Sequence, residues 1–375
     1  MTILVLHLGF GGVEKTVSNL VNMLHDSYEI EIISTYKLYD TPSFPIPSDV
    51  RIKYLLPKNQ PNKKEIKEAI RKKQPLRLLS EGFKAIETLY LRRKTMKEAI
   101  KTCRSDIIIS TRVLFTEWLS AFGNPHSIKI SQEHNHHNND EKYIKRIVRS
   151  CKGIDFFLPV SRELTDFYSE RIHNGRTKVI YIPHCLDYFP LKPSDYLLPD
   201  LVSIGRLSQE KGPLELIDVF SLIHKRCPQA KLHLIGDGPL YKEVKEKIST
   251  LHLESSIIVY GFQKHEVIHE ILQHCSVYVM TSWQESFGLV LLEAQSFALP
   301  CVAFSSAQGA HEIIMNKESG YLIEHRNDEE MAAKVCELLE DKVQLAQMGC
   351  AGQKNAQSYS SREIRTQWLH LLNQI

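Results

Sequence analysis

Two successive series of short β-rich runs, each run separated from the next by a helix-length stretch, constrain this 375-residue chain more than any other feature. Such alternation builds parallel sheets covered by helices, because neighbouring parallel strands need a long crossover between them. In the first series the runs are Ile3–Leu8, Ile30–Thr35, Asp106–Ser110, Ile128–Ser131 and Phe156–Val160, and Val179–Pro183 closes it. A stretch with Pro190, Pro193 and Pro199 then reads as a linker. The second series starts with Leu201–Ile204 and continues through Lys231–Ile235, Ile257–Tyr260, Val277–Met280 and Cys301–Ala303. Between its first two runs, Leu216, Val219, Phe220 and Ile223 fall on one face of a helix predicted over Pro213–Arg226. The expected architecture is α/β, with two Rossmann-like doubly wound domains facing a central cleft. The domains are residues 1–187 and 188–357, and a helix over about 358–375 is expected to pack back on the first. Ligands of doubly wound sheets sit beyond the carboxyl ends of the strands, so chemistry is sought in those loops.

Composition narrows the class. At 43% hydrophobic and 24% charged residues, the chain has enough apolar side chains for two cores. No run of eighteen apolar residues appears, so no helical membrane span is expected. Met1-Thr2-Ile3-Leu4-Val5-Leu6 enters a strand at once, without a charged leader, which points to a cytoplasmic location. Eight cysteines are scattered with no Cys-x-x-Cys pair, the pattern of reduced, buried thiols rather than disulfides or zinc ligands.

The sharpest local pattern is Glu285-Ser286-Phe287-Gly288-Leu289-Val290-Leu291-Leu292-Glu293, which follows a strand and a polar loop and opens a helix. Unpaired N–H groups at such a helix start suit phosphate or sugar oxygens. Glu285 is placed to accept hydrogen bonds from sugar hydroxyls. Glu293, eight residues on, lies about 80° round a helix and roughly 12 Å further along it. A capped helix carrying a solvated glutamate is the plainer alternative. Gly205-Arg206-Leu207-Ser208-Gln209-Glu210-Lys211-Gly212 follows the first strand of the second series. Two cations there, Arg206 and Lys211, can neutralise a diphosphate leaving group, a task given elsewhere to a metal ion. No Asp-x-Asp stands in a strand-end loop, so no metal and no further cofactor are expected.

Together these segments resemble glycosyltransferase family 4, a retaining family of GT-B fold and of the bacterial surface-polysaccharide type. Its Glu-x7-Glu motif is preceded by a Gly-Arg-Leu…Lys-Gly loop, and both stand here in order. Gly11-Gly12-Val13-Glu14, Pro159-Val160-Ser161, Ile235-Gly236-Asp237-Gly238-Pro239 and Gly261-Phe262 match as well. The resemblance implies that Arg206 and Lys211 hold the donor diphosphate, Glu285 the donor sugar and Glu293 the ribose. It implies contacts from Ser286 and the backbone of Phe287, Gly288 and Leu289, and it puts Phe262 near the base, uridine before guanosine. His134 is similar to the family's cleft histidine, which touches the donor sugar or orients the acceptor. Arg206, Lys211, Glu285 and His134 are thus the expected catalytic residues, in a metal-independent front-face transfer of a hexose or N-acetylhexosamine. The expected acceptor is a glycan or a lipid-diphosphate-linked chain.

Three segments stay open at this level. Gly9-Phe10-Gly11-Gly12 lacks the third glycine of a dinucleotide fingerprint, which Glu14 replaces. It is either a close approach of backbone to donor, with Gly11 and Gly12 as contacts, or an ordinary tight turn. His136 and His137, beside His134, read as satisfied or exposed histidines rather than a metal site. At His184-Cys185 the family commonly has Asn-Gly, and His184 reads better as a buried histidine.

Between Lys58 and Arg104 stand roughly 15 Lys and Arg against 5 Asp and Glu, so this segment carries about +10 and the rest of the chain, at a net charge of +3, about −7. Ile66, Ala69 and Ile70, then Phe83, Ile86, Leu89 and Tyr90, recur at helical spacing, and Pro75 should break or start a helix. Such helices either rest peripherally on an anionic membrane or pack an apolar face on the core and solvate the rest. Rival activities are a sugar-nucleotide epimerase and a non-catalytic nucleotide-sugar-binding subunit. A nucleic-acid partner is not expected, because no aromatic residues interleave the basic ones as a platform.

Overall fold

A computed structural model describes every residue of the chain except Asn174 and Ile375. It divides into two compact units, Met1–Ile182 with Arg365–Ile375, and Pro183–Ile364. In the first unit β1 (Thr2–Val5) leads to α1 (Gly12–Leu24), β2 (Glu31–Tyr36) and β3 (Arg51–Leu56). Then come α2 (Lys63–Arg71), α3 (Pro75–Thr102), β4 (Ile107–Ser110), α4 (Val113–Phe122) and β5 (Ile128–Glu133). The unit continues with α5 (Glu141–Ser150), β6 (Phe156–Pro159), α6 (Arg162–Ser169) and β7 (Lys178–Val179). All seven strands are parallel, in the order β3-β2-β1-β4-β5-β6-β7.

The second unit repeats the plan. Its elements are β8 (Leu201–Ile204), α7 (Pro213–Arg226), β9 (Leu232–Ile235), α8 (Tyr241–Thr250), β10 (Ile257–Gly261) and α9 (His265–His274). There follow β11 (Val277–Met280), α10 (Leu289–Ser296), β12 (Cys301–Phe304), α11 (Gln308–Ile313), β13 (Gly320–Ile323), α12 (Asp328–Glu340) and α13 (Lys342–Gln357). The sheet order is β10-β9-β8-β11-β12-β13, again parallel. A last helix, α14 (Ser361–Asn373), supplies Arg365, whose guanidinium donates to the Met23 carbonyl at 2.7 Å and to Asp26 at 2.8 Å.

Central strands β1, β4, β6, β11 and β12 are buried along their whole length, as parallel strands covered on both faces must be. The helix read over Pro213–Arg226 forms with those bounds as α7, and Leu216, Val219, Phe220 and Ile223 enter the core. Two strands escape the sequence reading. β3 alternates Arg51 and Lys53 with Ile52 and Tyr54, so it is an edge strand with one wet face. β13 is four residues long behind Gly320, too short for its pattern to register. The proline-rich stretch is not a free linker. Prolines keep it out of the sheet, but Ser194 donates to the Cys275 carbonyl and Tyr196 to that of Ala298, each at 2.5 Å. The units accordingly divide between Ile182 and Pro183, ahead of Asp187.

Close packing of strand ends fixes where the loops of the second unit lie. Gly236, at φ 142°, follows β9, and a Cβ there would meet the Gly205 carbonyl oxygen at 1.8 Å. The Gly205 N–H donates to the Ile235 carbonyl at 3.0 Å and the Gly236 N–H to that of Gly261 at 2.9 Å. The loops after β8, β9 and β10 therefore touch through bare backbone. Gly236→Ala is expected to cost about 2–3 kcal/mol, as a strained backbone position with a steric clash. Calorimetry should show the Tm falling by several degrees, and an unchanged Tm would mean that the approach is not constraining.

Candidate functional site at the strand ends

In the second sheet the strand order reverses between β8 and β11, the point at which doubly wound folds hold ligands. The loop after β8 carries Arg206 and Lys211, and the loop after β11 carries Glu285. All three line one pocket with Ser203, Tyr278 and Thr281. Lys211 Nζ meets Glu285 Oε2 at 2.5 Å, with 29% and 16% of the two side chains exposed. Arg206 is exposed at the rim. The two loops are locked together beneath this ion pair. Gly212, left-handed at φ 61°, follows Lys211, and a Cβ there would lie 2.3 Å from the Thr281 carbonyl oxygen. Thr281 Oγ1 in turn donates to the Gly212 carbonyl at 2.8 Å. Tyr278 closes the floor: its hydroxyl accepts from the Ile204 N–H at 3.2 Å and donates to the Ile204 carbonyl at 3.1 Å. Burial raises the Tyr278 phenol well above its usual range, and the charges of Glu285 and Glu293 add to that shift. Both glutamates of the motif thus lie within electrostatic reach of one buried phenol.

The Glu285–Glu293 interval differs from the spacing read in the sequence. Gly288 is left-handed at φ 91° and caps α10, which begins only at Leu289. Residues 285–288 are an irregular loop, so two full helical turns do not separate the glutamates. The Phe287 side chain is buried, its ring 4.9 Å from that of His184 and 5.9 Å from that of Tyr359. Only its backbone can meet a ligand. The Gly309 N–H donates to the Glu285 carbonyl at 2.8 Å, which fixes the loop from the side of α11. Ser286 and Leu289 are partly exposed, Glu293 is partly exposed within α10, and Phe262 is exposed beside Gly261. Burial lowers His184 to about 4, so it is neutral near pH 7.

Sequence reading missed Arg326. Its guanidinium donates to the Thr281 carbonyl at 2.9 Å, to the Ser282 carbonyl at 3.1 Å and to Ser306 Oγ at 2.8 Å. It also lies 3.7 Å from the centre of the Trp283 ring and 4.4 Å from that of Phe304. Trp283 Nε1 donates to Glu215 at 2.8 Å. Arg326 and His325 both adopt left-handed backbone, at φ 51° and 53°. That costs roughly 1–2 kcal/mol per residue, which three hydrogen bonds and two ring contacts offset. No motif announced it, because it lies far along the chain and acts through backbone oxygens.

In the first unit the strand order reverses between β1 and β4. The Gly9–Gly12 loop follows β1 and Arg112 follows β4. Glu14, buried at the start of α1, pairs with Arg112 at 3.1 Å and with His7 at 3.3 Å. A Cβ on Gly11 would meet Glu14 Oε2 at 2.2 Å, whereas one on Gly12 would meet nothing within 4 Å. Glu14, which spoils the dinucleotide fingerprint, thus folds back over Gly11. His134 is buried just past β5. Its neighbour Glu133 accepts from the Asn135 N–H at 2.9 Å and from the Tyr143 hydroxyl at 3.1 Å, and burial pushes its carboxyl up to about 7. The Asp140 cap of α5, which accepts from the Lys142 and Tyr143 N–H groups, sets Tyr143 in place. The His137 ring packs 4.2 Å from that of Phe167, tilted by 35°. Among the described residues no group of three or more His, Cys, Asp or Glu is gathered as a metal site. None of the eight cysteines forms a disulfide, and seven of them are buried.

Residues 196–355 match the family described as Glycosyl transferases group 1. The chain is 27% identical over 252 residues to a Bacillus subtilis poly(glycerol-phosphate) alpha-glucosyltransferase, covering 64% of this chain and 37% of that one. A solved structure of an S. aureus TarM mutant with Fondaparinux, alpha-GlcNAc-glycerol and UDP superposes with TM-score 0.78 at 16% identity, over 99% of both chains. Anabaena HepE in complex with UDP and glucose gives TM-score 0.74 at 20% identity, over 100% of this chain and 99% of that one. These likenesses show the fold as GT-B, two Rossmann-like α/β domains. The chain spans between about a third and a half of the length of the first curated relatives that it matches.

Two outcomes follow from this geometry. Arg326→Lys keeps the charge but loses the planar fork, so it should loosen the Glu285 loop. With UDP, the nucleotide held in the TarM and HepE structures, as the probe, binding should weaken about tenfold at unchanged fold. Calorimetric titration beside circular dichroism reads this, and wild-type affinity would remove Arg326 from the site. Glu133 has a folded pKa above its ordinary 4.5, so its stabilising share is present below about 4.5 and lost as pH rises through about 7. Glu133→Gln should therefore flatten the Tm profile between pH 5 and 8 relative to wild type, and two parallel profiles would contradict that assignment.

Proposed function

We propose that this chain, whose residues 196–355 match the family described as Glycosyl transferases group 1, is a retaining glycosyltransferase that uses a nucleotide-diphosphate sugar. The observation that carries the reading is the Lys211–Glu285 ion pair with Arg206 beside it, at the point where the second sheet reverses its strand order. A partly exposed pair of this kind is worth little by itself, about 0–1 kcal/mol. A diphosphate brings more than one negative charge, so it displaces the carboxylate from Lys211 at small cost. Glu285 is then released as an acceptor for sugar hydroxyls. Arg206 and Lys211 stabilise the charge that develops on the departing diphosphate, and the transfer needs no metal ion.

The remaining assignments have the same standing. The backbone N–H groups of Gly288 and Leu289, with Ser286 and the Phe287 backbone, hold phosphate or sugar oxygens. Glu293 takes the ribose and Phe262 lies along the base. UDP is the nucleotide we assign, supported by its presence in the TarM and HepE structures. In the first unit Gly11 and Gly12, through their backbone, and His134 are the residues we assign to ligand contact. No carboxylate is placed as a nucleophile, so we assign front-face attack, in which the leaving phosphate oxygen takes the acceptor proton. The acceptor class is a surface polymer or lipid-linked glycan, and the relative named for poly(glycerol-phosphate) supports it. Eight cysteines without a disulfide and the basic segment 58–104 support a site of action on the cytoplasmic membrane face.

Lys211→Ala should lower kcat about a hundredfold, as expected for one lost charge-stabilising donor. Radiolabelled UDP-sugars and product analysis provide the measurement. Normal turnover in the variant, or epimerised donor without transfer, would overturn the reading.

A further inference from the structure

The first half of α3 is folded inside out. Leu76, Leu79, Phe83, Ile86 and Tyr90 are 62–82% exposed. Their spacing of three, four, three and four residues keeps them within an arc of about 80°, and the stripe they form is roughly 20 Å long. The opposite face is buried at Glu81 and Thr88, whereas residues 75–80 are exposed all round. Glu81 is satisfied. Asn62 donates to the Glu81 carboxylate at 2.7 Å and to its carbonyl at 2.8 Å, and Lys84 pairs with the same carboxylate at 2.8 Å. Rotating the helix to bury the stripe would expose these bonds and bring five apolar side chains against polar partners, so its outward aspect is fixed by the fold. Within this segment an apolar face packs on the core at Ala69 and at Met96, Ala99 and Ile100, but Leu76, Leu79, Phe83, Ile86 and Tyr90 stay outside it.

We propose that this stripe inserts into the surface of a bilayer rich in anionic lipid. The occupant follows from charge and shape. The stripe lies in the segment of about +10, with Lys63, Lys64, Lys67, Arg71 and Lys73 exposed on and just after α2, and Arg93 and Lys94 continuing past Tyr90. A second copy pairing through the same face would oppose two such segments, a like-charge arrangement that costs affinity. The outer face of one helix is a ridge, and a bilayer accepts a ridge without a complementary groove. An apolar stripe within a segment of exposed Lys and Arg matches the two layers of that surface, acyl chains and anionic headgroups. For its purpose, bringing the enzyme to a lipid-linked acceptor, the inference rests on the transferase reading.

The test uses the full chain and sedimentation with vesicles of phosphatidylcholine alone or of phosphatidylcholine and phosphatidylglycerol in equal parts. Wild type should bind only the mixed vesicles and keep part of that binding in high salt, because inserted side chains are not screened. The double variant Phe83→Ser, Ile86→Ser should lose binding at least about tenfold, through lost apolar area, while its Tm and UDP affinity stay unchanged. Phe83→Trp should show a blue-shifted emission with mixed vesicles alone. Equal sedimentation of wild type and double variant overturns the proposal, as does binding abolished entirely by salt. A dimer that the double variant dissolves assigns the stripe to a second copy and also overturns it. Transfer to a soluble acceptor is measured in parallel. Vesicle binding without transfer defeats the transferase reading alone, and transfer without vesicle binding defeats this inference alone.

Discussion

The second unit depends on two strand-end loops held within ion-pair distance across the reversal point of its sheet. Lys211 and Glu285 are 74 residues apart in the chain, and no local propensity brings them together. Their meeting follows from the adjacency of β8 and β11 in the sheet and from Gly212, whose missing Cβ lets the first loop lie against Thr281. Arg326 then fixes the second loop through the carbonyl oxygens of Thr281 and Ser282, the latter also accepting from Ser306 Oγ at 3.3 Å. Backbone contacts set the geometry, and the charged side chains exploit it.

Magnitudes explain why such a pair suits a binding site better than a structural one. A deeply buried ion pair is hard to break, since separation leaves an uncompensated charge at a cost of about 3–5 kcal/mol. With 29% and 16% exposure, Lys211 and Glu285 are partly hydrated, so exchange of one anion for another is cheap. Both side chains are meanwhile held in place, which lowers the ordering entropy that a ligand must overcome. Arg206 at the rim adds long-range attraction for a diphosphate, felt over about 8–10 Å at ordinary ionic strength.

The alternation of strands and helices was legible because parallel strands buried on both faces must be almost uniformly apolar, as Ile107–Ser110 and Val277–Met280 are. Edge strand β3 was not, because a wet face interrupts the apolar run with Arg51 and Lys53. At the site, Arg206, Lys211 and Glu285 were legible as charged residues just beyond strand ends, and the structure gathers them in one pocket. Arg326 was illegible, since its role lies in left-handed backbone and in contacts to carbonyls that side-chain identity does not encode. Glu133 was passed over in favour of His134, although a carboxylate at the end of an apolar strand signals a buried acid that needs donors. Glu14 appeared only as a missing glycine, whereas its carboxylate fills the space that a Cβ on Gly11 would need.

α3 shows the limit of periodicity in another way. Helical spacing of Phe83, Ile86 and Tyr90 correctly announced an amphipathic helix, but periodicity does not say which face turns inward. Burying a large apolar side chain is worth about 1.5–3 kcal/mol, so a free helix would present this stripe to the core. It does not, because the opposite face is tied down. Asn62 fastens Glu81 ahead of α2, while Met96, Ala99 and Ile100 anchor the far end of the same rigid helix in the core with Ile33, Trp118 and Leu119. A helix of 28 residues cannot satisfy both ends independently. Its C-terminal anchor and its N-terminal hydrogen bonds set one rotation, and that rotation turns the apolar stripe away from the only core available to it.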